Sequence, residues 1–289
     1  MFAIELQQQQ YKTYILTDDA AGSRLEVVPE RGGIITSWQV QGKEIFYLDT
    51  ERFSHPDLSV RGGIPILFPI CGNLVDNTYT YKGQSYTLKQ HGFARDLPWE
   101  VTDSVNQDLA SLTLVLNSNE QTLAVYPFDF QVAFTYQLLG NSLEIRQRYS
   151  NYSAEPMPFS TGFHPYFATS DKTHLKFEIP ADQYQEKGTN TTHAFSGDFD
   201  FNQDEIDVAF GQLRARSASV TDSSLKLQLE LSYDDTYSTL VFWTVKGKDF
   251  YCLEPWSAPR NALNTGEHLT QLAPGSSCET LVRMTATFV

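Results

Sequence analysis

Hydrophobic and polar residues alternate with a period of two along much of this chain. Residues 128–138 place a large apolar side chain at every second position, and the alternation resumes over residues 143–149 after Gly140 and Asn141. Successive side chains of a β-strand point to opposite faces, so the pattern predicts two half-buried strands, and the Gly-Asn dipeptide predicts a hairpin turn between them. Residues 225–231 (LKLQLEL) predict another strand of the same kind.

Glycine-containing turn signals at residues 41–43, 81–84 and 246–248 separate stretches of strand-like composition, and no long segment shows the apolar stripe of a helix. Strands joined by short turns pair antiparallel, because parallel pairs need long crossovers. The sequence therefore predicts an all-β protein, a large sandwich of twisted antiparallel sheets. Residues 182–212 are polar and predict a long irregular connection. We expect residues 1–289 to form a single domain, because no repeat or composition break interrupts them.

Composition narrows the function classes. The 289 residues are 41% hydrophobic, enough for a large core, and the formal net charge of −14 with no lysine or arginine cluster argues against a nucleic-acid partner. The cysteines Cys71, Cys252 and Cys278 lack the spacing of a structural zinc site. The N-terminus has no signal-peptide pattern and no window approaches a membrane span. We therefore expect a cytoplasmic protein without a membrane partner.

Four segments interrupt the alternation and combine polar side chains with aromatic residues and glycine or proline. They are residues 61–69, 90–99, 160–167 and 251–256, the last followed by Arg260. This composition is typical of a rigid pocket wall, and it suits a sugar, whose C–H faces pack on aromatic rings while its hydroxyls bind polar groups. Residues 90–95 (QHGFAR) are the most concentrated case, with an amide, an imidazole and a guanidinium around Gly92, which allows the backbone to bend or approach a neighbour closely.

Structural interpretations of the same residues stay open at this point. His164 is compatible with a core histidine bonded to backbone, and Glu254 with a buried partner of an arginine, because a buried carboxylate must be paired or protonated. His91, His164 and Glu254 could also act as the ligands of a two-histidine, one-carboxylate metal site, but they are not spaced along the sequence as a metal-binding motif. No Gly-x-Ser-x-Gly segment indicates a nucleophilic serine.

The four segments, in this order, resemble the aldose 1-epimerase (galactose mutarotase) superfamily. The match covers essentially the whole chain, through residues 272–275 and the strand-like residues 279–284. Residues 61–65 and 90–95 are most similar to the branch that contains the hexose-6-phosphate 1-epimerases. The resemblance implies a large β-sandwich of the galactose mutarotase type, with the sugar in an open cleft on one sheet.

The resemblance also implies catalytic roles. His164 matches the family's general acid and Glu254 its general base. His91 lies where galactose-acting members place a histidine near the ring oxygen. Mutarotation passes through the open-chain aldehyde, so it needs one group that takes the anomeric proton and one that protonates the ring oxygen. No cofactor or metal is implied.

Substrate-binding positions follow in the same way. Arg61, Gln90 and Arg95 match binding positions of the family. Asp207 matches an aspartate that binds sugar hydroxyls, although Asp204 is a rival for that role. Two converging arginines could hold a phosphate, whereas residues 163–166 depart from typical sugar-phosphate members, in which a small polar residue often follows the histidine. An aldohexose and a hexose 6-phosphate both stay open.

We therefore expect an aldose 1-epimerase that acts on a small-molecule sugar or sugar phosphate, as a monomer or weak dimer. Two alternatives are a non-catalytic carbohydrate-binding protein on the same fold and a glycoside-processing enzyme. The second would need another positioned carboxylate, for which Asp207 is the candidate.

Overall fold

Short strands make up about half of the chain in the computed structural model, which describes residues 1–189 and 191–288. The strands before residue 155 are β1 (Phe2–Gln8), β2 (Lys12–Asp18), β3 (Ser23–Val28), β4 (Ile34–Val40), β5 (Lys43–Glu44), β6 (Ile66–Leu67), β7 (Thr78–Tyr81), β8 (Gln84–Thr87), β9 (Glu100–Val105), β10 (Ala110–Asn117), β11 (Phe130–Leu139) and β12 (Ser142–Asn151). Those after it are β13 (Met157–Phe159), β14 (Gly162–Phe163), β15 (Tyr166–Ala168), β16 (Leu175–Glu178), β17 (Gln183–Glu186), β18 (Thr192–Ala194), β19 (Glu205–Phe210), β20 (Ser217–Asp222), β21 (Leu227–Tyr233), β22 (Thr239–Val245), β23 (Phe250–Trp256), β24 (Thr270–Leu272) and β25 (Ser277–Phe288).

Helices are short and lie between the strands. The α-helices are α1 (Thr50–Ser54), α2 (Glu120–Leu123) and α3 (Ala262–Thr265), and the 3-10 turns are Pro29–Arg31, Val75–Asn77, Ala94–Asp96 and Lys172–His174. Across the described residues, no helix is both long and apolar enough to cross a membrane.

The strands form two large antiparallel sheets and a smaller one. The back sheet has the order β16-β20-β21-β25-β12-β11-β10-β9, and the front sheet has the order β18-β17-β19-β22-β23-β14-β6, with β15 also paired to β23. Strands β1 to β5 form an N-terminal sheet in chain order, and β7-β8 and β13-β24 are two-stranded ribbons. The predicted all-β antiparallel sandwich is confirmed. The assignment of the chain to one domain stays a prediction.

Aromatic side chains join the inner faces of the back and front sheets. The ring centroids of Phe134 on β11 and Phe163 on β14 are 5.7 Å apart, and those of Phe177 on β16 and Phe242 on β22 are 5.1 Å apart. These rings belong to a core cluster that runs from Leu16 to Ala286. Burial of this apolar surface stabilises the sandwich by roughly 25 cal/mol per Å².

The predicted hairpins form where glycine permits the turn. β11 and β12 pair from Leu139 with Ser142, on either side of the Gly-Asn dipeptide. The predicted strand at residues 225–231 begins later, at Leu227, because Lys226 adopts a left-handed backbone conformation with φ of 51° in the preceding turn.

The prediction of an irregular connection over residues 182–212 is wrong, because β17, β18 and β19 lie there and extend the front sheet. β19 turns Ile206, Val208 and Phe210 inward. β18 is the edge strand of the front sheet and β17 lies between it and β19; both strands are short and mostly exposed, and their polar side chains face solvent. Such strands carry no hydrophobic alternation for the sequence to show.

β23 contributes buried residues to both faces of the front sheet. All seven of its residues are buried. Tyr251 and Leu253 belong to the core between the sheets, so Cys252, Glu254 and Trp256 project from the opposite face. A buried carboxylate therefore stands on the side of the front sheet that faces away from the sandwich core.

Candidate active site

A cavity of about 320 Å³ lies on this outer face of the front sheet. Its volume is within the range of small-molecule sites. All seven residues that the sequence predicted line it, together with others that, apart from Val60, are polar or aromatic. The lining residues are Arg52, Ser59, Val60, Arg61, Gln90, His91, Arg95, His164, Tyr166, Lys187, Glu205, Asp207, Trp243, Glu254, Trp256 and Arg260.

Strand register places several of these residues side by side. Asp207 of β19 pairs with Trp243 of β22, which pairs with Cys252 of β23, which pairs with Tyr166 of β15. His164 lies in the two-residue connection between β14 and β15, where its backbone N–H donates to the carbonyl of Pro65 at 3.1 Å. The imidazole is thus fixed beside the strand that carries the buried carboxylate.

Residues 90–95 reach the cavity through a close backbone approach. Gly92 forms an isolated bridge with Phe68, and a Cβ atom at Gly92 would lie 2.2 Å from the Phe68 carbonyl oxygen. With φ of 71°, the position also requires a left-handed conformation. The expectation that Gly92 brings the backbone close to a neighbour is confirmed.

His164 and Glu254 form a direct pair in the cavity wall. Nε2 of His164 lies 3.3 Å from Oε1 of Glu254, whose side chain is 1% exposed. Oε2 of Glu254 accepts a hydrogen bond from the indole Nε1 of Trp256 at 3.1 Å. The His164 ring stacks on Tyr166 with centroids 4.7 Å apart and planes 12° apart. Stacking and pairing together fix the orientation of the imidazole.

The structural interpretations of this pair do not fit the contacts. Among the described residues, no arginine or lysine nitrogen lies within 4.0 Å of the Glu254 carboxylate. Nδ1 of His164 is buried and has no hydrogen-bond partner among the described residues. By hydrogen-bond geometry, the described residues give Nδ1 of His164 no backbone partner, and they give Glu254 no ion pair with an arginine.

Burial shifts both groups towards their neutral forms. It raises the pKa of Glu254 well above its usual range, with the charge of Asp207 adding to the rise and Arg260 opposing it. Burial, together with the charge of Arg95, lowers the pKa of His164 to about 3. Both shifts favour the form of the pair in which the imidazole is neutral and the proton is on Glu254.

His91 is held as a neutral hydrogen-bond donor. Burial, followed by the charge of Arg95, lowers the pKa of His91 well below its usual value. Its Nδ1 accepts a hydrogen bond from the backbone N–H of Gly72 at 3.1 Å, so the ring proton resides on Nε2. The amide nitrogen of Gln90 lies 3.2 Å from that Nε2 and is itself a donor, so a hydrogen bond between the two side chains requires the amide to be turned so that its oxygen accepts from His91.

Two of the predicted arginines lack acidic partners. In the described chain, no carboxylate oxygen lies within 4.0 Å of a guanidinium nitrogen of Arg61 or Arg95. Nη2 of Arg95 donates to the backbone carbonyl of Gln90 at 2.9 Å, and its Nε is buried without a partner among these residues. Direct ion pairs among the described residues therefore neutralise neither arginine.

Asp207 is already engaged by two cations. Its Oδ1 accepts from Nη2 of Arg260 at 2.5 Å, and its Oδ2 lies 2.8 Å from Nζ of Lys187. Asp204 is not among the lining residues; its backbone carbonyl accepts from the N–H of Lys246. Asp207 is thus the aspartate in the cavity wall, and its contact with a sugar stays a prediction.

Lys187, Arg260 and Trp243 are cavity residues that the sequence reasoning did not select. Arg260 stood beside the fourth non-alternating segment, which was the available signal. Lys187 follows β17 in the region that was predicted to be irregular, so only the sheet pairing brings it to Asp207. Trp243 looked like an ordinary strand residue until its register with Asp207 and Cys252 was known.

One group of potential metal ligands occurs among the described residues. Donor atoms of His164, Cys252 and Glu254 lie within 4.8 Å of one another, with Cys252 in the place that the sequence hypothesis gave to His91. Burial raises the pKa of the Cys252 thiol as well as that of Glu254, whereas metal binding requires both groups to be deprotonated. The expectation that no metal takes part stays a prediction.

The fold and the site together define a galactose mutarotase-like β-sandwich protein with a buried histidine–glutamate pair. The chain belongs to the aldose 1-epimerase family, whose model matches residues 14–285. The Slr1438 protein from Synechocystis sp. PCC 6803 is 48% identical in sequence to this chain. Its crystal structure matches with a TM-score of 0.95, and the match covers 100% of both chains.

Other relatives are more distant. The crystal structure of a galactose mutarotase-like protein from Clostridium acetobutylicum is 20% identical, with a TM-score of 0.84 over 100% of this chain and 99% of that one, and it shows the shared fold. A Cenchrus ciliaris protein provisionally named glucose-6-phosphate 1-epimerase is 31% identical over 157 residues, which are 51% of this chain and 44% of that protein.

Proposed function

We propose that this protein is an aldose 1-epimerase that interconverts the α and β anomers of an aldohexose or a hexose 6-phosphate. His164 acts as the general acid and Glu254 as the general base. The observation that carries the proposal is the 3.3 Å contact between His164 Nε2 and Glu254 Oε1 in the wall of a cavity large enough for a small molecule. A sugar bound there can meet both groups at once.

The single proton of the pair suits a reversible ring opening. Glu254 takes the proton of the anomeric hydroxyl as His164 gives one to the ring oxygen, which leaves a carboxylic acid, a neutral imidazole and the open-chain aldehyde. After rotation about the C1–C2 bond, the two transfers reverse and the other anomer forms. The pair holds one proton in both states, so no external acid or base is consumed.

The neutral form of the pair, which burial favours, is the state from which the ring closes. For ring opening, the proton must first move from Glu254 to His164. An anomeric hydroxyl that donates a hydrogen bond to Glu254 favours the carboxylate, because hydrogen bonds to the charged form lower its pKa. The neutral His91 presents its Nε2–H as a donor and stays outside the transfer.

The rest of the wall supplies sugar-binding chemistry. Tyr166 and Trp243 line the cavity with aromatic surface, and Trp243 is oriented by a 2.6 Å hydrogen bond from its Nε1 to Glu205. Arg61, Gln90 and Arg95 offer donors to hydroxyl or phosphate oxygens. Asp207 retains acceptor capacity beside its two cations, because a carboxylate has about four lone-pair sites.

Anomer equilibration tests the proposed function. Fresh α-glucose, α-galactose and α-glucose 6-phosphate are followed by NMR with and without the protein. We expect acceleration of at least one sugar. Sugar binding without acceleration of any of the three would instead favour the non-catalytic binding protein, and release of the leaving group from an aryl glycoside would favour the glycoside-processing alternative.

The unpaired arginines yield a prediction about the phosphate. We expect Arg61→Met and Arg95→Met to raise KM for glucose 6-phosphate about tenfold or more, because each removes a charge-assisted hydrogen bond. KM for a neutral aldose should change much less. Arg216→Met is the matched control, since Arg216 pairs with Asp235 away from the cavity at 2.6 Å. Equal losses on both sugars would contradict phosphate recognition by these arginines.

A further inference from the structure

Arg260 touches the catalytic pair only through its neighbours. Its guanidinium carbon lies 4.9 Å from the ring centroid of Trp256, in a cation–π contact. Trp256 in turn donates its indole N–H to Oε2 of Glu254 at 3.1 Å. Nη2 of Arg260 donates to Oδ1 of Asp207 at 2.5 Å. The arginine thus joins the aspartate of β19 to the tryptophan that holds the buried glutamate.

Arg260 packs against Gly72, where the lack of a side chain leaves room for it. A Cβ atom at Gly72 would lie 2.5 Å from Cγ of Arg260 and 3.2 Å from a ring carbon of Trp256. The same glycine exchanges two hydrogen bonds with His91, through its N–H to Nδ1 at 3.1 Å and through its carbonyl from the His91 N–H at 2.7 Å. Arg260 is therefore packed into a backbone arrangement that also orients His91.

We propose that Arg260 is a positioning residue for Glu254: stacked on Trp256 and paired with Asp207, it holds the indole whose N–H orients the carboxyl group. The proposal rests on the proposed function for its effect on turnover, but not for its effect on the carboxyl group itself. Without the stacked guanidinium, Trp256 loses the contact on one face and Asp207 loses one of its two cations.

The charge of Arg260 also acts on the pKa of Glu254. Several titratable or charged groups surround Glu254 and the residues that contact it. They are His164 in the β14–β15 connection, His91 and Arg95 in residues 90–95, Asp207 on β19, Lys187 after β17, Cys252 on β23, and Arg260. Asp207 raises the pKa of Glu254 and Arg260 lowers it. Arg260 therefore opposes the effect of Asp207 on the pKa of Glu254.

Substitutions that separate stacking from charge test this role. We expect Arg260→Met to lower kcat about tenfold, within the ~10²-fold loss of a misplaced catalytic group. It should also move the pH profile of kcat upward by about one unit, because a cation close to the pair is removed. Arg260→Lys keeps the charge without a planar face, so its profile should stay near that of the wild type while kcat falls. Asp207→Asn should move the profile downward.

A measurement without turnover separates this proposal from the proposed function. The carboxyl stretch of Glu254, identified by its loss in Glu254→Gln, is followed by infrared difference spectroscopy during a pH titration. We expect its midpoint to rise in Arg260→Met and to stay unchanged in the matched control Arg216→Met.

An unchanged midpoint in Arg260→Met would overturn the electrostatic effect of Arg260 on Glu254. An unchanged kcat in Arg260→Lys would overturn the positioning role, by showing that the planar face on Trp256 is not needed. A raised KM with unchanged kcat in Arg260→Met would also overturn the positioning role, by showing that Arg260 only binds the sugar. A shifted midpoint in a protein that equilibrates no sugar would refute the proposed function and leave the electrostatic effect standing.

Discussion

Glu254→Gln is expected to lower kcat for anomer equilibration by ~10²–10⁴-fold, the usual contribution of one positioned proton-transfer group. The amide cannot take the proton of the anomeric hydroxyl. Folding should be preserved, because burial favours the neutral form of this carboxyl and the amide is a neutral group of nearly the same shape. The amide oxygen can still accept the hydrogen bond that Trp256 gives to the carboxyl at 3.1 Å.

The measurement is kcat and KM by NMR exchange on the most responsive sugar. KM should change little, since the lost interaction belongs to the transition state. Glu144→Gln is the matched control, because Glu144 is a buried carboxylate that pairs with Arg283 in the back sheet. Unchanged turnover in Glu254→Gln would remove the general base from the proposal.

His164→Asn is expected to lower kcat by a comparable ~10²–10⁴-fold, because the ring oxygen then leaves without a proton donor. The asparagine is smaller and leaves the stacking contact with Tyr166, at 4.7 Å between centroids, unfilled. Thermal unfolding should therefore be compared as well. His174→Asn is the control, since His174 is half exposed and its Nε2 lies 3.6 Å from Asp171.

The double variant tests whether the two residues act as one unit. If His164 and Glu254 share a single proton, removal of the second group should cost little once the first is lost, so the combined effect falls well short of the product of the single effects. Multiplicative losses would indicate independent roles and contradict the shared-proton mechanism.

Local patterns were sufficient for the sheet scaffold where strands are half buried. The alternation at residues 128–138 and 143–149 corresponds to β11 and β12, and the glycine turns lie where they were expected. The pattern failed at β17 and β18, because short strands that are mostly exposed on both faces need no apolar face.

The candidate site shows the same division. His164, Glu254 and Arg95 stood out as polar groups in apolar or glycine-rich surroundings, which is a local signal. Lys187 had no such signal, and its 2.8 Å contact with Asp207 depends on the pairing of β17 with β19. The protonation of the histidine–glutamate pair likewise depends on burial that no segment shows by itself.

The sequence alone determined the antiparallel scaffold, the family resemblance and the residue types available for acid–base chemistry, because strand alternation, turn glycines and short motifs are properties of neighbouring residues. Only the tertiary structure decided which of those residues meet, which proton state the pair adopts, and that Arg260 lies between Asp207 and Trp256. Those outcomes depend on distances and burial between strands that are far apart in the chain, and both arise when the sheets pair and pack.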